Sequence, residues 1–198
     1  WPVTQPVGEV RGYLVSDRFA RRYASVVDAE DIGVIWPRDA SPAAVAAATE
    51  ARESAREGPP MAADRVRQLV ASPCAADRIH EQVAAALDVR DASRFQAVRY
   101  ECLDAVGHYF LRYAAPAAFG DVSDDELRRY GGVLTAQYTA VDQLLGRVME
   151  TLRPGDLLLV VSGFGMQPMS VGKRLLERTV GNPEPSGTHE PAPDGFLF

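Results

Sequence analysis

The strongest constraint on the fold is an apolar run near the C-terminus, where residues 156–163 read DLLLVVSG. Consecutive apolar residues between a turn-forming RPGD and a glycine pair are typical of a central strand buried on both faces. A second strand is predicted at residues 94–102. Between the two strands, residues 124–152 repeat apolar side chains every three or four positions, which predicts a long amphipathic helix. Strand, helix and buried strand form a βαβ unit, so we expect an α/β fold with a mostly parallel sheet.

The first half of the chain predicts short extended segments followed by helices. Extended segments are expected at residues 10–16 and 32–37. Helices are expected at residues 41–56, 62–71 and 75–88. No chemical motif occurs in this Ala- and Arg-rich stretch, and we interpret residues of about 41–90 as a helical flank or cap-like insertion. At the other end, a Pro/Gly-rich loop from residue 180 leads into a short final strand, GFLF.

Composition excludes some classes of partner. The formal net charge is -6, which argues against nucleic acid and anionic membranes, because both select clustered Lys and Arg. No run of about 18 apolar residues exists, so no membrane span is predicted. No signal peptide is visible. The sequence begins at Trp1 rather than Met, and we therefore expect a piece of a longer chain.

Cysteine usage bears on the compartment. Cys74 and Cys102 form neither a disulfide framework nor a C-x-x-C pair. This favours a reducing, cytoplasmic environment, with one disulfide left open and the localisation otherwise unassigned. The oligomeric state is not predicted.

Two short patterns after the buried strand carry no chemistry by themselves. A phosphate-binding P-loop requires four residues between its first glycine and Gly-Lys, followed by Ser or Thr. Here six residues separate Gly165 from Gly172, and Arg174 follows Lys173. The Ser-x-x-Lys pattern at residues 170–173 lacks any companion motif.

Two of the three histidines lie where a ligand site is expected. Asp104 and His108, in RYECLDAVGHYF (residues 99–110), follow a predicted strand and stand four residues apart. If the turn enters a helix, both side chains face the same point in space. One carboxylate and one imidazole suit Zn²⁺ or Mn²⁺, and His189 would supply a third ligand. The alternative left open is an acidic helix cap beside a surface histidine. His80, within a predicted helix, is interpreted as an ordinary helix residue.

The motifs together resemble the type I phosphodiesterase/nucleotide pyrophosphatase family of the alkaline phosphatase superfamily. YECLDAVGHYF is similar to its Asp-x-x-Gly-His motif after a strand. DLLLVVSGFGM lies where the family has a strand running into Ser-Asp-His-Gly, and SGTHEPAPDGFLF resembles its late Gly-x-His segment. The resemblance implies a three-layer αβα sandwich on a mostly parallel sheet. Residues 1–198 would then be the C-terminal part of one such domain, incomplete at the N-terminus.

The resemblance also implies a ligand set. Asp104, His108 and His189 match the three ligands of one metal ion, usually zinc, with manganese or another divalent ion as alternatives. The Asp and His of the second metal motif correspond to Gly163 and Phe164, which cannot bind a metal, so this second site is eroded. The family's remaining ligand Asp and its Thr or Ser nucleophile match nothing in this chain, so no catalytic nucleophile is assigned.

These departures leave the activity open. The resemblance implies a metal-dependent phosphodiesterase- or phosphatase-like hydrolase acting on a phosphate ester or nucleotide. With one metal site and no nucleophile, the domain is expected to be degenerate or a fragment, and the chain alone inactive. The alternatives are an enzyme that uses one metal and altered chemistry, and a non-catalytic, metal-bearing module that binds phosphorylated or sulfated ligands.

Overall fold

A computed structural model describes residues 12–16, 19–20, 35–56, 65–90 and 93–198. The chain divides into two compact units, Trp1–Cys102 and Leu103–Phe198. Among the described residues, helices are mixed with three short two-stranded sheets, and all three sheets are antiparallel. Mixed helix and strand content is therefore confirmed. The predicted mostly parallel sheet is not what the described residues form.

The first unit is built on two long helices. Strand β1 (Leu14–Val15) pairs with β2 (Ile35–Trp36), and a 3₁₀ turn at Arg38–Ala40 leads into helix α1 (Ser41–Arg56). Helix α2 spans Arg65–Arg90. The core contains a stripe of buried alanines on one side and larger apolar residues of α2 on the other: Ala40, Ala44, Ala47, Ala48, Ala51, Ile79, Val83 and Leu87. Small side chains at spacings of three and four let the two helices approach closely.

The predicted break between the helices at residues 62–71 and 75–88 is wrong, because α2 runs through Pro73. A proline inside a helix costs about 3 kcal/mol through a lost hydrogen bond and a clash. The buried positions Val70, Ala76 and Ile79 continue on either side of it. Packing of this continuous apolar face offsets the local cost. Residues 62–64 lie outside the described residues, as do residues 10–11 and 32–34 of the predicted extended segments.

Cys74 and Cys102 form a disulfide, with their Cα atoms 4.4 Å apart. The one disulfide that the sequence left open is therefore present in this structure. Disulfides persist mainly in oxidising compartments. Cysteine usage consequently gives no support for a cytoplasmic location.

Helix α3 spans Cys102–Ala114. Its first residue, Cys102, is the last residue of the first unit, and the rest of the helix belongs to the second unit. A 3₁₀ turn at Pro116–Ala118 follows, then α4 (Asp124–Tyr130) and α5 (Val133–Thr151). The core is formed by the buried face of α3 and an aromatic cluster, and it includes Val106, Phe110, Tyr113, Phe119, Tyr130 and Leu144. None of the helices in the described part of the chain is long and apolar enough to cross a membrane.

The single helix predicted at residues 124–152 is instead two helices. Ser123 caps α4 in a capping box with Glu126, and Gly131 and Gly132 separate it from α5. Two consecutive glycines cost a helix about 2 kcal/mol relative to alanine. The apolar periodicity continued across this break and concealed it.

The C-terminal part carries the remaining strands. They are β3 (Val161–Phe164), β4 (Gln167–Pro168), β5 (Gly187–Thr188) and β6 (Asp194–Leu197), with helix α6 (Val171–Thr179) between β4 and β5. β3 pairs with β6, which confirms the final strand, and β4 pairs with β5.

Both long strand predictions are corrected by the described residues. Residues 94–102 form no strand ladder, and Phe95 within them is 84% exposed. Of the run at residues 156–163, only the last residues are in a strand, and Leu157 and Val161 are exposed. A continuous apolar run is buried only where layers cover both faces of the sheet. The described residues do not supply those layers.

A buried carboxylate gives the first unit a testable pH dependence. Asp77 is 9% exposed and accepts hydrogen bonds from the backbone N–H groups of Glu101, at 2.8 Å, and Cys102, at 2.7 Å. Burial raises the pKa of Asp77 to about 6, although these two hydrogen bonds act in the opposite direction. The native state therefore binds this proton more tightly than the unfolded chain does, and stability contributed by the protonated form is lost as pH rises from about 4 through 6.

We predict that the free energy of unfolding falls, on the order of 2–3 kcal/mol, between pH 4 and pH 7 because of this one group. The contribution of Asp77 is the difference in the free energy of unfolding between the wild-type chain and Asp77→Asn, measured by denaturant unfolding at each pH. Identical pH profiles for the two proteins would contradict it.

Candidate metal centre

Helix α3 positions the first two candidate ligands. Asp104 lies in its first turn and His108 one turn later, on the side opposite the buried Val106, Phe110 and Tyr113. The spacing of four places the carboxylate and the imidazole next to each other, as predicted. His108 Nε2 lies 3.8 Å from Asp104 Oδ1.

The structure brings His189 to the same place from 81 residues further along the chain. His189 directly follows β5, and its Nε2 lies 2.8 Å from Asp104 Oδ1. The two imidazole rings meet edge to face, with centroids 4.9 Å apart. One ligand atom from each of the three residues lies within 4.8 Å of the others. Two side chains are partly buried and the carboxylate is exposed.

Backbone carbonyls fix which nitrogen of each ring faces the carboxylate. His108 Nδ1 lies 2.8 Å from the carbonyl oxygen of Gly187, and His189 Nδ1 lies 2.7 Å from that of Gly165. A carbonyl only accepts, so each Nδ1 carries the hydrogen and donates it. In a neutral imidazole the lone pair is then on Nε2. Both lone pairs point toward an oxygen that is itself an acceptor.

Three acceptor atoms facing one another are satisfied by a proton, a donating water molecule or a metal ion between them. An Nδ1–H donated to a backbone carbonyl is the arrangement that metal-binding histidines usually show, since it fixes the ring and raises its basicity. The donor set of one carboxylate oxygen and two imidazole nitrogens fits a divalent transition metal such as zinc, with positions left for water or substrate.

Close backbone approach makes the site possible. A Cβ built on Gly187 would lie 2.6 Å from the carbonyl oxygen of Gly107 and would also meet the Met166 side chain. Next to it, the buried Ser186 donates its N–H to the carbonyl of His108 at 2.7 Å and its hydroxyl to the same oxygen at 3.1 Å. Residues 186–188 therefore lie directly against α3, which brings His189 within reach of Asp104.

The two residues that the resemblance matches to a second metal motif, Gly163 and Phe164, carry no metal-ligating side chain. Gly163 has no side chain, and the Phe164 ring lies 4.5 Å from the His189 ring, centroid to centroid. The next residue along the chain, Gly165, accepts the hydrogen bond from His189 Nδ1 through its carbonyl.

One charged group near the site was missed from the sequence. Lys173 of α6 donates to Glu190 at 2.8 Å and to Thr188 at 3.3 Å, and these two residues flank His189. The hydrogen bond from Lys173 holds the pKa of Glu190 below its usual value. The Ser-x-x-Lys pattern drew attention to Lys173, but its partners lie 15 and 17 residues away and no local pattern indicates them.

Comparison with known proteins identifies the family. The chain matches the model of the type I phosphodiesterase / nucleotide pyrophosphatase family over residues 10–182, and it belongs to that family. This family is metal-dependent and acts on phosphodiester and nucleotide substrates. No curated protein and no solved structure matched the chain. Asp104 and His108 lie within the matched residues, whereas His189 lies beyond them and joins the cluster through its geometry alone.

The tight approach at Gly187 generates a prediction. Gly187→Ala should push β5 away from α3, break the hydrogen bond from His108 to the Gly187 carbonyl, and weaken zinc binding by about 10- to 100-fold. Competition with a chromophoric chelator measures the affinity. The matched control is Gly146→Ala, where a Cβ meets nothing within 4 Å. Equal zinc affinity in the two variants would show that the close approach of Gly187 to α3 does not determine zinc affinity.

Proposed function

We propose that Asp104, His108 and His189 bind one divalent metal ion, with zinc favoured over manganese and other divalent ions, in a phosphodiesterase- or phosphatase-like hydrolase domain. The observation that carries the proposal is the pair of Nδ1–H···O=C hydrogen bonds, which turn both Nε2 atoms toward Asp104. Family membership supplies the substrate class, a phosphate ester or nucleotide.

A metal ion held there would act as a Lewis acid toward a phosphoryl oxygen. The chain's own contribution is to hold the ligands. The carbonyls of Gly187 and Gly165 keep the two rings oriented, and Asp104, on the exposed side, offsets positive charge. The Phe164 ring covers one side of His189, which leaves the remaining directions for substrate or water.

The hydrolase proposed here is degenerate. Two-metal phosphoryl transfer stabilises the attacking and the leaving oxygen with separate cations. Gly163 and Phe164 offer no donor at the second position, and no nucleophile is assigned in the chain. Losing one cation and the nucleophile removes several kcal/mol of transition-state stabilisation.

We propose further that residues 1–198 belong to one domain with the three-layer αβα sandwich expected for the family, with residues 41–90 as a flank or cap-like insertion. Exposure of Leu157, Leu159 and Val161 in an apolar run supports this. Such side chains are usual in a sheet covered on both faces.

A second candidate is a non-catalytic module that binds phosphorylated or sulfated ligands through the same metal. It is favoured by the contact between Phe164 and His189. An aromatic ring in place of a metal ligand offers an apolar surface to a bound ligand without contributing to catalysis. The two candidates share the metal site and differ in turnover.

Metal content tests the shared part. We expect the purified chain to bind about one zinc ion, as measured by elemental analysis after dialysis. His108→Ala and His189→Ala should each lose it, because two remaining ligands do not hold zinc firmly. His80→Ala, a histidine of α2 outside the cluster, should retain it. A wild-type chain that binds no zinc, manganese or other divalent ion would leave Asp104 as a helix cap and overturn the proposal.

Turnover tests the degenerate character. We expect no measurable hydrolysis of a bis-aryl phosphate by the zinc-loaded chain, since it lacks a nucleophile and a second cation. Release of the chromophoric phenol is followed with and without chelator. Turnover that disappears on chelation and in His189→Ala would show instead that one metal is enough for catalysis.

A further inference from the structure

Away from the metal cluster, three arginines of the second unit converge on one carboxylate. Arg112 of α3 and Arg174 and Arg178 of α6 all contact Asp121. Arg174 and Arg178 stand four residues apart, on one face of α6. Like charges at this spacing destabilise a helix by a few tenths of a kcal/mol unless an anion lies between them.

Asp121 makes its shortest contacts with one of the three arginines. Arg112 Nη2 lies 3.1 Å from Asp121 Oδ1 and 3.3 Å from its backbone oxygen. Arg178 Nη2 donates a long hydrogen bond to Asp121 Oδ2 at 3.4 Å, and Arg174 Nη1 lies 3.6 Å from Oδ1, whereas charge-assisted hydrogen bonds are usually about 2.7–2.9 Å. The arginines of α6 are therefore held near Asp121 without being saturated by it.

These two arginines line a surface pocket of about 260 Å³ together with Asp121, Phe119 and Leu175. The Arg174 guanidinium lies over the Phe119 ring, 5.0 Å from its centroid, so its plane is held in place. Among the residues that the structure describes, the buried Nε of Arg174 has no hydrogen-bond partner, and neither has that of Arg112.

The local charge is positive. Three guanidinium groups face Asp121, and Glu126 lies close enough to Arg112 for the two charges to interact. Glu177 lies on α6 next to Arg178 and accepts a hydrogen bond from Asn182. Glu126 is engaged by Ser123 in the capping box. The charged residues that line the pocket itself are Arg174, Arg178 and Asp121, with a net charge of +1, although the whole chain has a formal charge of -6.

We propose that this pocket binds the phosphate group of a phosphate monoester, with Arg174 and Arg178 donating to its oxygens and Phe119 and Leu175 contacting the ester substituent. Guanidinium groups match tetrahedral oxyanions because each presents parallel N–H donors. A dianion competes better than the single carboxylate of Asp121 for two partly engaged arginines. The site shares no residue with the metal cluster and does not depend on it.

The experiment is calorimetric titration of the full chain with inorganic phosphate and with phenyl phosphate, in the presence of EDTA so that no metal contributes. We expect one binding site, and at least tenfold weaker binding by the double variant Arg174→Gln/Arg178→Gln. The matched control, Arg128→Gln/Arg153→Gln, removes the same charge from exposed positions outside the pocket and should change the affinity less than twofold. Tighter binding of phenyl phosphate indicates an organic monoester, and equal binding indicates free phosphate.

Circular dichroism checks that each variant is folded. Arg178→Gln alone changes a half-exposed side chain whose described contact is Asp121, and it should weaken binding at least threefold even if the double variant fails to fold. Absence of binding by the wild-type chain would overturn the proposal. Equal affinity in the wild-type chain and the Arg178→Gln and Arg174→Gln/Arg178→Gln variants would do the same.

Discussion

The candidate metal centre depends on how closely one backbone segment approaches one helix. Residues 186–188 lie against α3 because Gly187 has no Cβ to meet the Gly107 carbonyl, and Ser186 ties the segment to the carbonyl of His108 with two hydrogen bonds. This approach places His189 beside Asp104 and His108 of α3, so that the three residues form one cluster. Without it, Asp104 and His108 would be a capped turn with a nearby histidine, which is the alternative that spacing alone left open.

The proximity of Asp104 and His108 could be predicted from the sequence better than the fold around them. Asp104 and His108 are four residues apart, and a helix converts that spacing directly into proximity. His189 came from resemblance, because no local rule links residues 81 positions apart. The orientation of the rings could not be predicted at all. It depends on carbonyl groups, which every residue possesses and no sequence pattern distinguishes.

The strand predictions failed for a different physical reason. An apolar run such as residues 156–163 indicates that the segment can form a buried strand. The strand forms only where a neighbouring strand supplies hydrogen bonds and a packed layer of other elements supplies burial. In the described residues that partner is β6, antiparallel and short. The helix predictions were wrong in two opposite ways. A break was predicted near Pro73, but α2 continues through it. One continuous helix was predicted where Gly131 and Gly132 separate α4 from α5. Packing of the apolar face offsets the cost of a proline inside α2. Two consecutive glycines end a helix even though the apolar periodicity continues across them.

His108 has two roles that are chemically independent. Its ring belongs to the ligand cluster, and its carbonyl oxygen accepts both hydrogen bonds from Ser186. Any amino acid at this position would keep the carbonyl, so the ligand can be lost by mutation while the segment remains attached to the helix. Gly163 and Phe164 likewise lie in a strand that pairs through its backbone, whichever side chains it carries. In a chain built this way, a candidate ligand can be removed while the backbone contacts that position its segment remain.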